Sequence, residues 1–123
     1  MRLLLDTHVV IWWDAGAKLS APAMRAIREA DEVHVSAASA WELAIKTSLG
    51  KVIAQRPLSA VITDSGFREL PVLVRHADVL STLAPLHRDP FDRLLVAQAI
   101  AERLVLVTRD AEVRRYPIRT LIA

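Results

Sequence analysis

The join between a helix and a strand in the last third of this chain most constrains what it can fold into. Asp89 and Pro90 read as an N-cap and first helical residue, because proline lacks the N–H that a first turn leaves unpaired anyway. From Phe91 to about Arg103 the pattern is apolar on nearly every side, and it runs directly into Leu104-Val105-Leu106-Val107-Thr108. A helix without a polar face is buried, and a β-branched apolar run reads as a strand covered on both faces. Such a strand belongs to a parallel sheet with helices on either side. Asp92 falls in the first turn of the same helix, so Asp89 and Asp92 stand together at its mouth.

The same alternation runs through the preceding residues. Leu3-Leu4-Leu5 is a short strand ending at Asp6-Thr7, followed by a helix from His8 to Asp14 that Gly16 stops. Ser20 and Pro22 open a helix to about Ala30, and Val33-His34-Val35 is the second strand. A strong helix starts near Ala37 and ends near Gly50; Pro57-Leu58 opens another, to about Gly66. Phe67 to Val72 is a weaker strand limited by Pro71, and His76 to Leu83 a short helix. Asp110 to Arg114 is a turn or short helix, and Ile118 to Ile122 alternates like an edge strand. Strands separated by helices, without repeat or linker, predict one α/β domain over residues 1–123 with a mostly parallel central sheet.

Connectivity then places the acids. In a parallel sheet the carboxyl ends of the strands and the N-termini of the helices that follow share one edge, where ligands bind. Asp6 ends the first strand, and Asp110 lies just beyond the Leu104–Thr108 strand. Asp89 and Asp92 open the helix that feeds that strand from the same edge. Glu42 sits about one and a half turns inside its helix, within reach of the edge because helical side chains tilt toward the N-terminus. Each acid also has an ordinary structural reading. Asp6, Asp89 and Asp92 fit as caps, Asp110 as a turn opener, and Glu42 as an i,i+4 partner of Lys46. Taken together, however, converging carboxylates repel one another by several kcal/mol unless a cation neutralises them. With no cysteine in the chain and no ordered histidine spacing, magnesium or manganese suits such a cluster.

Four ordered stretches carry a family resemblance. They are Leu5-Asp6-Thr7-His8-Val9-Val10-Ile11-Trp12-Trp13, Ser39-Ala40-Trp41-Glu42-Leu43-Ala44-Ile45-Lys46, Asp89-Pro90-Phe91-Asp92-Arg93-Leu94-Leu95-Val96-Ala97-Gln98-Ala99 and Val107-Thr108-Arg109-Asp110. Together they resemble a PIN-domain ribonuclease of the VapC toxin type, over nearly the whole chain; Phe67–Leu86 carries no matching motif. The resemblance implies that Asp6, Glu42, Asp92 and Asp110 hold Mg2+ or Mn2+ for RNA phosphodiester cleavage by an activated water. Asp6 and Asp92 are the principal ligands in this reading, with Glu42 binding through water or orienting the nucleophile and Asp110 acting through water. Asp89 is a cap or a residue behind the ligands. Thr7 and Thr108 are either structural hydroxyls or partners of the acids. Lys46, Arg88, Arg93 and Arg109 flank the acids and are candidates for RNA phosphates, or for a solvated face. The resemblance further implies a toxin role, an antitoxin partner through which any DNA binding occurs, and a homodimer.

Charge agrees with a polyanionic substrate. Sixteen bases face fourteen acids; with four acids assigned to one site, the rest of the molecule carries a surplus of six positive charges. The absence of cysteine, of a visible leader and of a long apolar run leads us to expect a soluble cytoplasmic protein. Three other readings stay open on the sequence. His8 and His87 approach the same edge and would suit a metal-free acid–base ribonuclease, which leaves 2′,3′-cyclic phosphate ends. A phosphoacceptor signalling domain also carries acids at a parallel edge. The third is a catalytically silent binding module on the same fold. Trp12 and Trp13 read as core residues or as part of a protein interface.

Overall fold

Alternation along the strands decides which helix covers which face. The computed structural model, which describes residues 1–51 and 54–123, contains β1 (Arg2–Leu5), β2 (Glu32–Ser36), β3 (Arg68–Leu70), β4 (Val105–Thr108) and β5 (Thr120–Ile122). They form a five-stranded sheet in the order β3-β2-β1-β4-β5, with every pairing parallel. Leu3 and Leu5 point to one face with Val33, Val35, Val105 and Val107. That face is covered by α1 (Thr7–Ala15), α2 (Ala21–Glu29), α3 (Ala37–Ser48) and α4 (Leu58–Ser65), through Val9, Val10, Ile27, Leu43 and Val61. Leu4, Leu70 and Leu106 point to the other face, against Leu95, Val96 and Ala99 of α6 (Pro90–Glu102). α5 (Val74–Leu80) packs along α6. Leu3, Leu4 and Leu5 are fully buried in the middle strand, each contributing roughly 1.5–3 kcal/mol by leaving water.

Local chemistry sets the helix ends that matter for the site. Ser36 accepts a hydrogen bond from the Ala38 amide, so α3 starts where β2 stops. Asp89 accepts from the amides of Phe91 and Asp92 and caps α6, with Pro90 in its first turn. Arg103 ends α6 in the left-handed conformation at φ 56°, allowing the immediate turn into β4.

Several elements differ from expectation; β3, expected over Phe67 to Val72, is only Arg68–Leu70, ending just before Pro71. α5 begins at Val74 rather than His76, because His76 is itself the cap: its Nδ1 accepts the Leu73 amide at 3.0 Å. The same helix stops at Leu80, where the Ser81 and Thr82 hydroxyls donate to the Asp78 and Val79 carbonyls. β5 starts at Thr120, since Ile118 packs into the second core instead of pairing. No helix of the described residues is long and apolar enough to cross a membrane.

One buried tyrosine ties the segment before α6 to the turn after β4. The Tyr116 hydroxyl donates to the Ala84 carbonyl at 2.9 Å and accepts the His87 amide at 3.1 Å. Replacing Tyr116 with Phe leaves both groups without that partner and is expected to cost about 1–2 kcal/mol. Urea unfolding measures the loss, and hydrogen exchange should quicken between residues 84 and 89.

Candidate active site

Five acids reach one cavity of about 450 Å3 at the carboxyl edge of the sheet: Asp6, Glu42, Asp89, Asp92 and Asp110. They come from four places in the chain: the end of β1, the second turn of α3, the start of α6 and the turn after β4. Asp6 follows β1 and holds the N-cap position of α1, but its side chain makes no capping hydrogen bond. It accepts instead from Thr108 Oγ1 at 2.7 Å, across the sheet from β4. Capping therefore does not explain Asp6. Glu42 is 2% exposed, and its Oε1 lies 2.7 Å from Thr7 Oγ1. Because a carboxylate only accepts, Thr7 must donate to Glu42, and Ser39 Oγ, 2.8 Å away, must donate to Thr7. The Lys46 pair expected at i,i+4 does form, on Glu42 Oε2, but inside the cavity wall rather than on a solvated face.

Asp110 combines a local and a long-range role. Its Oδ1 accepts the amides of Glu112 and Val113 at 2.7 and 3.2 Å, which is the turn-opening role. Its Oδ2 lies 3.1 Å from His87 Nε2, and the same nitrogen is 3.1 Å from Asp92 Oδ2. Thr108 joins the group a second time, since its hydroxyl accepts the Asp110 amide at 3.0 Å while donating to Asp6. Thr7 and Thr108 are thus partners of the acids, with each hydroxyl proton directed at a carboxylate.

Burial and mutual repulsion show in the acidities. Asp92 is pushed up to about 7, first by burial and then by the charges of Asp6, Asp89 and Glu42, with His87 opposing. Burial also raises Asp6, against the Thr108 hydrogen bond and His8. Asp110 stays low despite its burial, because His87 and two backbone amides stabilise its charge. Burial alone would lower His87, but the hydrogen bond to Asp110 and the charges of Asp92, Asp110 and Asp89 leave it raised. Lys46 is likewise raised against burial by Glu42. Hard carboxylate oxygens crowded until one holds a proton near neutrality are a donor set that fits Mg2+ or Mn2+.

The four flanking cations separate into two pairs. Lys46 and Arg109 line the cavity. Arg109 is pinned there, its guanidinium 4.3 Å over the Trp12 ring and donating to the Ala123 and Lys18 carbonyls. Arg93 turns away to the Leu83 carbonyl at 3.3 Å, and Arg88 borders a separate shallow pocket with Leu86 and Glu112. Both histidines weighed for acid–base work, His8 and His87, line the cavity, but His87 is engaged by two carboxylates. Of the two tryptophans, Trp12 forms cavity wall, whereas Trp13 packs on Phe67 and donates to Ser65. Sequence reasoning missed Ser39, although it lies one turn before Glu42, and the bridging role of His87.

The raised Asp92 has a measurable consequence. The folded chain keeps a proton on Asp92 that the unfolded chain releases from its ordinary value of 3.8, so stability falls as pH rises from there to about 7. In metal-free buffer the Asp92→Asn variant should flatten that fall, and at about pH 8 it should be more stable than wild type by on the order of 2 kcal/mol. Denaturant titrations at several pH values test this. A variant less stable at every pH would mean that the carboxylate serves only the helix terminus.

Comparison with known proteins gives a consistent assignment. The family model described as PIN domain matches residues 3–118. Ribonuclease VapC22 of Mycobacterium tuberculosis (strain ATCC 25618 / H37Rv) is 33% identical over 123 residues, covering 93% of this chain and 91% of that protein. Among solved structures, VapBC2 from Rickettsia felis bound to a promoter DNA fragment superposes with a TM-score of 0.73 at 16% identity, covering 98% of both chains. DNA-bound VapBC from Salmonella typhimurium gives 0.70 at 21% identity, over 98% of this chain and 97% of that one. These last two likenesses concern the fold; the family model and the closer relative concern the sequence itself, and on them this chain belongs to the PIN-domain family, as a member of VapC type.

Proposed function

We propose that this chain is an endoribonuclease dependent on Mg2+ or Mn2+, with Asp6, Glu42, Asp92 and Asp110 as its acidic centre. The observation that carries this reading is the convergence of those four side chains, from four separate parts of the chain, on one cavity where Asp92 is raised to about 7. The M. tuberculosis relative is a ribonuclease by name, which supports RNA as substrate. A divalent cation bound there supplies electrophilic activation of the phosphodiester and of the attacking water.

The hydrogen bonds divide the work among the acids. Asp6 Oδ1 and Asp92 Oδ1 accept no hydrogen bond from the described residues, so these two carboxylates are the direct ligands. Both oxygens of Glu42 are engaged, by Thr7 and Lys46, and both of Asp110, by backbone amides and His87. Those two acids act through water. Lys46 and Arg109, already on the cavity wall, meet the phosphates that flank the cleaved one. The surplus positive charge elsewhere draws the polyanion in.

The chain is, in this reading, the toxin of a type II toxin–antitoxin pair acting in the cytoplasm as a homodimer. The R. felis and S. typhimurium structures, and a toxin–antitoxin complex from Klebsiella pneumoniae with a TM-score of 0.67, at 16% identity over 98% of this chain and 96% of that one, support an antitoxin as partner. Binding to promoter DNA would then belong to the antitoxin.

Cleavage assays on RNA with end mapping test the proposal. Wild type with Mn2+ should leave 5′-phosphate ends and stop in EDTA, while Asp6→Asn and Asp92→Asn each lose at least about a hundredfold in rate. Cleavage that ignores chelator and leaves 2′,3′-cyclic phosphates would replace this reading by an acid–base mechanism through His8 and His87.

A further inference from the structure

His87 stands at the centre of the acidic cluster, and its hydrogen bonds define its protonation pattern. The Asp89 amide donates to His87 Nδ1 at 2.9 Å. A ring nitrogen that accepts from an N–H carries no proton, so the neutral imidazole holds its proton on Nε2. That Nε2–H donates to Asp110 Oδ2 at 3.1 Å, and Asp92 Oδ2 lies beside the same nitrogen, also at 3.1 Å. His87, Asp92 and Asp110 offer ligand atoms within 4.8 Å of one another, the spacing of a three-ligand metal site. The tautomer argues against that use, because a protonated Nε2 has no lone pair for a cation.

From this geometry we propose that His87 is a positioning residue, which donates a hydrogen bond to Asp110 and, by its polar contact with Asp92 Oδ2, fixes the Asp92 carboxylate for cation binding. The chain of contacts is continuous. The Glu112 and Val113 amides hold Asp110 Oδ1, Asp110 Oδ2 accepts from His87, and His87 Nε2 lies against Asp92 Oδ2. The Tyr116 hydroxyl and the Asp89 amide hold His87 in turn, one on its backbone and one on its ring. Among the described residues Asp92 Oδ1 accepts no hydrogen bond, which leaves that oxygen for the cation. Asp110 thus acts on the site through His87 as well as through water. The same Asp89 that caps α6 with its side chain sets the His87 tautomer with its backbone, so one residue orients both groups. This inference rests on the metal-dependent reading above, since it concerns what His87 does for the cation.

The test reads metal affinity and ring tautomer, with no RNA present. Mn2+ binding to the full chain is measured by calorimetry for wild type, His87→Ala, His87→Phe and His87→Gln, with the melting temperature of each recorded. Loss of an outer hydrogen-bond partner typically costs 10–100-fold in metal affinity. His87→Ala and His87→Phe should therefore bind Mn2+ about 10–100-fold more weakly, whereas His87→Gln, which keeps an N–H donor near the Nε2 position, should recover most of the loss. Long-range 1H–15N spectra of the metal-free protein in mildly alkaline buffer should show the Nε2–H tautomer, and adding Mg2+ should leave the Nε2 proton in place. Unchanged affinity in His87→Ala and His87→Phe, or a Gln variant as weak as Ala, overturns the proposal. So does an Nδ1–H tautomer, or loss of the Nε2 proton on adding Mg2+, which would make His87 a ligand. Wild type that binds no Mn2+ overturns the metal-dependent function instead, and is told apart because the tautomer is read without metal.

Discussion

Repulsion between buried carboxylates is the constraint around which this protein is arranged. Five acids border one cavity, and burial, together with the field they make on each other, raises the Asp92 pKa to about 7. Left to themselves, such side chains would swing toward water. Here they are kept together by donors that belong to the fold: Thr108 on Asp6, Thr7 on Glu42, backbone amides on Asp110, and His87 between Asp110 and Asp92. Lys46 supplies positive charge within the group, its pKa held up against burial by Glu42. An arrangement that spends stability in this way is what a cation-binding site requires.

The sheet makes the arrangement cheap to build. Parallel pairing puts the ends of β1 and β4 side by side, so Asp6 and Thr108 meet without any loop to position them. α3 begins directly at the end of β2, and Glu42 reaches the edge from its second turn. α6 starts at that same edge because Asp89 and Pro90 fix its first residue. The apolar faces on both sides of β1 hold these ends rigidly, since Leu3, Leu4 and Leu5 have no room to shift.

What the sequence discloses, and what it conceals, follows from whether a position is set locally. Asp6, Asp89 and Asp92 sit at element ends marked by capping residues and proline, so their edge is readable from spacing alone. The parallel sheet is equally readable from the β-branched run at Val105–Thr108. Nearness in sequence groups Arg93 and Arg88 with the acids, yet Arg93 finds a carbonyl at Leu83, in a stretch with no pattern to predict its path. Arg109 is held by the chain end and by Trp12, contacts that only the tertiary fold creates. The bridge through His87 depends on two hydrogen bonds from residues 29 and 2 positions away, Tyr116 and Asp89, and no local signal announces it. His76 displaced the predicted start of α5 for a similar reason, since its ring caps the helix where a polar N-cap residue would be sought.

The account stands on the acids being a cation site rather than a set of caps and turn openers. Diffraction from crystals soaked in Mn2+, recorded at a wavelength where manganese scatters anomalously, measures this directly. The account predicts one strong anomalous peak within coordination distance of both Asp6 and Asp92. Ordered crystals that show no peak in the cavity, or a peak elsewhere on the surface, would contradict it.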